Sequence, residues 1–238
     1  MSEVLIIGGS GAIATALIHH YGANGKGVTA LSRQLRPGWA EGMNWLNWHS
    51  VDEQDTTALE AVLAQCFSSS PALIYLCQGW LHSDQMLPEK AISQLTEVQL
   101  QQALTVNLFS PARYLQLMMP YLFKLAAVKV LVLSAKVGSI TDNQLGGWYS
   151  YRASKAALNM LVKTASIELK RRNKTATLVT VHPGTTASDL SAPFQANVPA
   201  GQLQHPANTA RRLADVAAVV QPEQSGLLLN WDGQVLPF

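Results

Sequence analysis

The chain predicts an α/β architecture, a mostly parallel, doubly wound sheet of about seven strands with helices on both faces, on three observations. Short apolar runs recur along it, amphipathic helical stretches separate most of them, and the first run passes through glycines directly into a helix. Strands covered on both faces read as continuous apolar runs, and crossovers between parallel strands are right-handed, which places the helices on both sides. With 238 residues, 48% of them hydrophobic, the chain can bury a substantial core, and one domain over 1–238 is expected.

The first strand, "VLIIGG", leads into "AIATALIHHY", where Ile13, Ala16, Leu17 and His20 fall at helical spacing. Further strands are expected at "GVTALS", "MNWLNW", "ALIYLC", "VKVLVLS", "ATLVTVHPG" and "GLLLNW". Between them lie helical patterns, among them "TTALEAVLAQCF", one long stretch "QLQQALTVNLFSPARYLQLMMPYLFKL", and "ASKAALNMLVKTASIELKRR". Residues 185–205 fall in a segment rich in Pro, Gly and small polar residues that is long for a structureless loop, so it is a candidate substrate lid.

"IIGGSGAIATAL" contains Gly9-x-Gly11-x-x-Ala14, a dinucleotide-binding fingerprint at the first strand-to-helix turn, which makes the predicted sheet Rossmann-like. Glycines let backbone N–H groups approach a pyrophosphate, and the helix dipole favours it there. An ordinary glycine-rich turn is the plain alternative. Gly8-Gly9-Ser10-Gly11-Ala12 also has the G-x-S-x-G form of a hydrolase elbow, but Ser10 follows the first strand, with no upstream chain for the earlier strands and oxyanion loop. After the second strand stand Ser32 and Arg33 with no carboxylate to take ribose hydroxyls. Arg33 can pair bidentately with a 2′-phosphate, which favours NADP(H) over NAD(H), although a lone arginine is as often solvated surface.

"WYSYRASKAAL" opens the last long helix. Residues four apart share a face, so Tyr151 and Lys155 can approach one point, while Tyr149 has Ala153 at that offset. A phenol, with a reference pKa of about 10, donates poorly near neutrality, and an adjacent ammonium lowers that value. Tyr151 is thereby a candidate general acid for carbonyl reduction, or base for alcohol oxidation. Alone, the spacing is common, and an interfacial tyrosine beside a solvated lysine accounts for it better.

Composition narrows the partners. Seventeen Lys plus Arg against fifteen Asp plus Glu leave no basic stripe for nucleic acid. Cys66 and Cys77 form neither a CxxC nor a metal-ligand pattern, so no metal is expected. Nothing approaches the roughly 20 apolar residues of a membrane span, and a cytoplasmic protein acting on a small molecule is expected.

Taken together, "GGSGAIA", "VNL" at Asn107, "YRASKAAL" and "HPG" resemble the short-chain dehydrogenase/reductase family in order and spacing. "VGSITDNQLGGWYSYRASKAALNML" and "WDGQVLPF" are similar to its branch of C-factor-type proteins and sniffer-type carbonyl reductases. The resemblance covers essentially the whole chain. It implies catalytic roles for Tyr151, Lys155 and Asn107, the last shaping a proton relay. It implies cofactor contacts from Gly8, Ser10 and Ile13, from Asp52 to the adenine amino group, from Gly79, and from Pro183, Gly184 and Ser188 on the nicotinamide side, with Tyr151 and Lys155 also against the cofactor. One departure is serious: the family's "SSxxG" aligns with Ser134-Ala135-Lys136-Val137-Gly138, so Ala135 stands where a substrate-orienting hydroxyl belongs. Regular alternation turns Ser134 to the opposite face, leaving a bent Ser134 or Ser139 as substitutes; a lost oxyanion hydrogen bond costs roughly 10²-fold in rate. The implied activity is NADP(H)-dependent oxidation and reduction of a carbonyl or secondary alcohol by a homodimer or homotetramer. The alternative is a C-factor-like signalling or sensor protein that binds cofactor with little or no catalysis.

Overall fold

A computed structural model describes residues 3–238. In chain order the strands are β1 (Val4–Ile7), β2 (Val28–Ser32), β3 (Leu46–Ser50), β4 (Leu73–Leu76), β5 (Lys129–Leu133), β6 (Thr177–His182), β7 (Thr185–Thr186), β8 (Leu203–Gln204), β9 (Leu228–Asn230) and β10 (Val235–Leu236). The helices are α1 (Ala12–Ala23), α2 (Thr56–Ser68), α3 (Glu97–Leu104), α4 (Ser110–Leu122), α5 (Tyr149–Arg172) and α6 (Pro206–Val219).

Eight strands form the main sheet, in the order β10-β9-β6-β5-β4-β1-β2-β3, and all neighbours are parallel except β9 and β10. The fold is thus the expected Rossmann-like sheet with one strand more than the apolar runs announce. β10 has only two residues, too short for a periodic signal, and pairs with β9 through a turn closed by Asn230 N–H to Gln234 O at 2.7 Å. β3 starts three residues later than "MNWLNW" suggests.

Strand alternation splits the core in two. Leu5, Ile7, Ile74, Val130, Val132 and Leu178 pack with α2, α4 and α5, whereas Ile6, Ala30, Tyr75, Leu131 and Val179 pack with α1 and α6. Parallel order reverses between β1 and β4, and the crevice beyond the carboxyl ends at such a switch point is where ligands bind in these sheets.

The single long helical stretch expected from residue 99 onward is broken. α3 and α4 are joined by a wider π-type turn, Thr105–Phe109. Pro111 supplies the reason: it lacks the N–H that would bond the Asn107 carbonyl, so the regular ladder cannot close there. Residues 185–205 are also not structureless, since β7 and β8 pair in parallel and Ala192–Asn197 forms a short 3₁₀ turn between them.

Candidate active site

The carboxyl ends of β1, β4, β5 and β6 open into a cavity of about 390 Å³. Its walls include Ser10, Ile13, Gly79, Tyr151, Lys155, Pro183, Gly184 and Ser188. A recess of about 150 Å³ shares Ser10 and Gly79 with it and adds Gly8, Ser32 and Arg33. One continuous run of wall thus gathers residues from five separate segments of the chain.

The glycine turn fits a dinucleotide. Gly8 sits at φ +83°, and a Cβ there would stand 3.2 Å from the Gln78 backbone nitrogen. Such a conformation is strained for any L side chain, so the close approach of β1 to the loop after β4 depends on glycine. Gly11 caps α1 without a side-chain hydrogen bond, and no acidic residue lies in its first turn. The amino-terminal N–H groups and the dipole of α1 therefore face the cavity beside Ser10 and Ile13, free to take a diphosphate.

Asp52 lies outside both walls: it is exposed, and its Oδ1 accepts the Gln54 N–H at 2.9 Å. Two residues beyond the end of β3 the chain turns, and Asp52 is used to close that turn. Glu53 occupies the recess wall instead, its Oε2 accepting the Ser110 hydroxyl at 2.6 Å while its backbone carbonyl accepts from Arg113.

At the other end, α5 presents Tyr151 and Lys155 as the four-residue spacing requires. Lys155 is 2% exposed; its Nζ donates to the Leu133 carbonyl at 3.0 Å and lies 5.9 Å from the Tyr151 ring centroid. The ammonium does not lower the phenol here. Burial raises the Tyr151 pKa and lowers that of Lys155 to about 8, so desolvation outweighs their mutual influence. A small neighbour lets α5 come so close: a Cβ on Gly138 would meet Lys155 Cβ at 2.8 Å.

Asn107 is fully buried in the π-type turn. Its Oδ1 accepts the Trp80 N–H at 2.7 Å, while Nδ2 donates to the Trp80 carbonyl at 2.8 Å and to the Ser154 hydroxyl at 2.9 Å. It ties the loop after β4 to α5 from behind the cavity wall. Trp80 is held by its backbone and is not a wall residue, whereas Leu81 is.

Ala135 lies on the wall where a serine hydroxyl was sought. Ser134 also lines the cavity, whereas Ser139 does not. The Ser134 hydroxyl donates to Asn159 Oδ1 at 2.7 Å on the α5 side, and the Ser139 hydroxyl accepts the Asp142 N–H at 3.1 Å in its own loop.

Further residues complete the walls. Trp148 and Phe194 join the large cavity, as does His182, whose pKa falls to about 4 through burial and then through the Lys136 charge. Gln78 lines both spaces, and both atoms of its amide are buried with no partner among the described residues. Cys77 stands on the walls as a free thiol pushed up to about 12 by burial, which makes it inert. Among the described residues, no group of three or more His, Cys, Asp or Glu side chains is placed to hold a metal, and no helix is long and apolar enough to cross a membrane.

Comparison with known proteins agrees with this fold. C-signal of Myxococcus xanthus is 31% identical over 148 residues, covering 62% of this chain and 84% of that protein. The carbonyl reductase Sniffer of D. melanogaster superposes with a TM-score of 0.85 at 19% identity over 100% of both chains. The NADPH-bound carbonyl reductase from chicken fatty liver gives a TM-score of 0.84 at 21% identity, covering 100% of this chain and 94% of that one. The family described as short chain dehydrogenase matches residues 2–199, and with most of its length inside that match the chain belongs to the short chain dehydrogenase family.

Proposed function

We propose that this protein is an NADP(H)-dependent oxidoreductase that reduces a carbonyl or oxidises a secondary alcohol. The observation that supports it most is one cavity holding both an open α1 amino terminus and the Tyr151–Lys155 pair. Bound nicotinamide supplies or accepts the hydride at the substrate carbon. Tyr151 gives its phenolic proton to the carbonyl oxygen in reduction and takes it back in oxidation. Lys155, its Nζ 5.9 Å from the Tyr151 ring centroid, would hold the cofactor ribose, and its charge would favour the phenolate as the proton leaves. Pro183, Gly184 and Ser188 would hold the nicotinamide half, and residues 185–205, with Phe194 on the wall, would border the substrate. With Ala135 in place of a hydroxyl, Tyr151 carries the oxyanion alone, and turnover is roughly 10²-fold below that of a site with both donors.

Arg33 in the recess favours a 2′-phosphate. Titration of cofactor fluorescence is expected to show NADPH bound at least ~10-fold tighter than NADH, and Arg33→Ala is expected to remove most of that difference. Equal affinity for both in the parent protein contradicts the preference. The signalling alternative has Ala135 and the likeness to C-signal in its favour, whereas a glycine cradle and a Tyr–Lys pair in one cavity have a common cause in catalysis. The reading extends to a cytoplasmic homodimer or homotetramer, in keeping with two unpaired cysteines and with the exposed apolar residues Met160 and Ile167 on α5.

A further inference from the structure

We infer that Trp148 is a specificity residue that selects substrates carrying a flat aryl group next to the reacting carbonyl, an inference that rests on the oxidoreductase reading of the same cavity. Trp148 immediately precedes α5 with φ 54° and ψ 44°, a left-handed conformation that costs a bulky side chain energy and persists only where the surroundings impose it. The surroundings do impose it. Gly146 and Gly147 before it are also left-handed, both at φ 65°, and the Trp148 N–H donates to the Glu89 carbonyl. Glu89 is itself 2% exposed, and its carboxylate accepts both the N–H and the hydroxyl of Ser150 in the next turn. Arg152 fastens the approach, donating to the Gly147 carbonyl at 3.0 Å and the Val137 carbonyl at 3.2 Å.

The indole is thereby aimed at the reacting end of the cavity. Its ring lies 6.2 Å from that of Tyr151 at 70°, edge to face, and 4.9 Å from that of Phe194 in the short turn of the 185–205 segment. Ala135, Val137, Leu81 and Leu190 make the rest of this wall apolar. The exposed Lys136 on this wall is paired with Asp142 at 3.3 Å, and Lys155 is held against the Leu133 carbonyl at 3.0 Å, so neither cation projects from the apolar part of the wall. An aromatic, apolar surface fixed beside the proton donor matches an aryl ring through stacking and burial.

The test compares 1-phenyl-1,2-propanedione with 2,3-butanedione, which share the reacting dione and differ by the ring. Trp148→Gly removes the indole and leaves a residue for which the left-handed backbone is unstrained; Trp148→Phe keeps an aromatic face. Trp148→Gly is expected to raise KM for the phenyl dione about tenfold with kcat within twofold and KM for butanedione unchanged, and Trp148→Phe to restore most of the loss. Equal changes for both diones, or none, overturn the inference. Calorimetric binding of the phenyl dione to protein saturated with NADP+ separates the two levels of claim, because no turnover is needed. If the parent chain binds it, Trp148→Gly weakens it about tenfold and no carbonyl is reduced, the oxidoreductase reading fails and Trp148 stands; no binding to the parent, or binding indifferent to Trp148, rejects the role of Trp148.

Discussion

Lys155 bears the clearest electrostatic cost in the cavity. Its folded pKa of about 8 lies below the unfolded value of about 10.5, so the folded state holds fewer protons between those values and stability rises with pH across that window. Below about 8 the burial penalty is present in full. Lys155→Met removes it, and the stability advantage of that variant over the parent is expected to shrink by ~2 kcal/mol between pH 7 and pH 10, read from urea denaturation without cofactor. A constant difference contradicts a buried, depressed lysine. Residue by residue, the sequence was informative where chemistry follows spacing: Tyr151 and Lys155 share a face because they are four apart, and both line one cavity. It was uninformative where an environment decides. Burial, not the ammonium, sets the Tyr151 pKa, and Asp52 is drawn into a turn while Glu53 takes the wall.

Among the elements, the broken α3–α4 pair explains what Asn107 does. The π-type turn places its amide between the Trp80 backbone and Ser154 on α5, so the two segments that flank Gly79 are fixed to each other. Asn107→Ala leaves the buried Trp80 peptide groups and the Ser154 hydroxyl short of partners and is expected to cost about 2–3 kcal/mol of stability. It is also expected to lower kcat more than it changes NADPH affinity, because it loosens the α5 register rather than the glycine cradle; a fall in cofactor affinity alone contradicts this. Pro111 was the available signal for the break, since a proline four residues after Asn107 removes the bond that would close the helix there. The Glu89 contacts at the head of α5 had no such signal, because sixty-one residues separate Glu89 from Ser150 and no periodicity links them.

At the scale of the whole molecule, the mostly parallel, doubly wound sheet was legible because seven of its strands announce themselves as apolar runs. β10 was not, having two residues. The walls that give the cavity its character, Trp148 against Phe194 above all, come from segments forty-six residues apart and exist only in three dimensions. The outer face of α5 makes a further claim on the assembly. Met160 and Ile167, 66% and 45% exposed, stand seven residues apart on one face, an apolar stripe that a second copy would cover. Light scattering is expected to show a dimer or tetramer, and Met160→Glu to shift it toward monomer by at least tenfold in dissociation constant; a monomeric parent protein contradicts the assembly.

The central claim, that this cavity performs cofactor-dependent proton and hydride transfer, is tested most directly by Tyr151→Phe. NADPH consumption against a panel of aldehydes, ketones and quinones is to be measured beside NADPH binding for the parent and the variant. The account predicts turnover by the parent, a loss of about 10³-fold or more in the variant, and equal NADPH affinity in both; unchanged turnover without the phenol contradicts it.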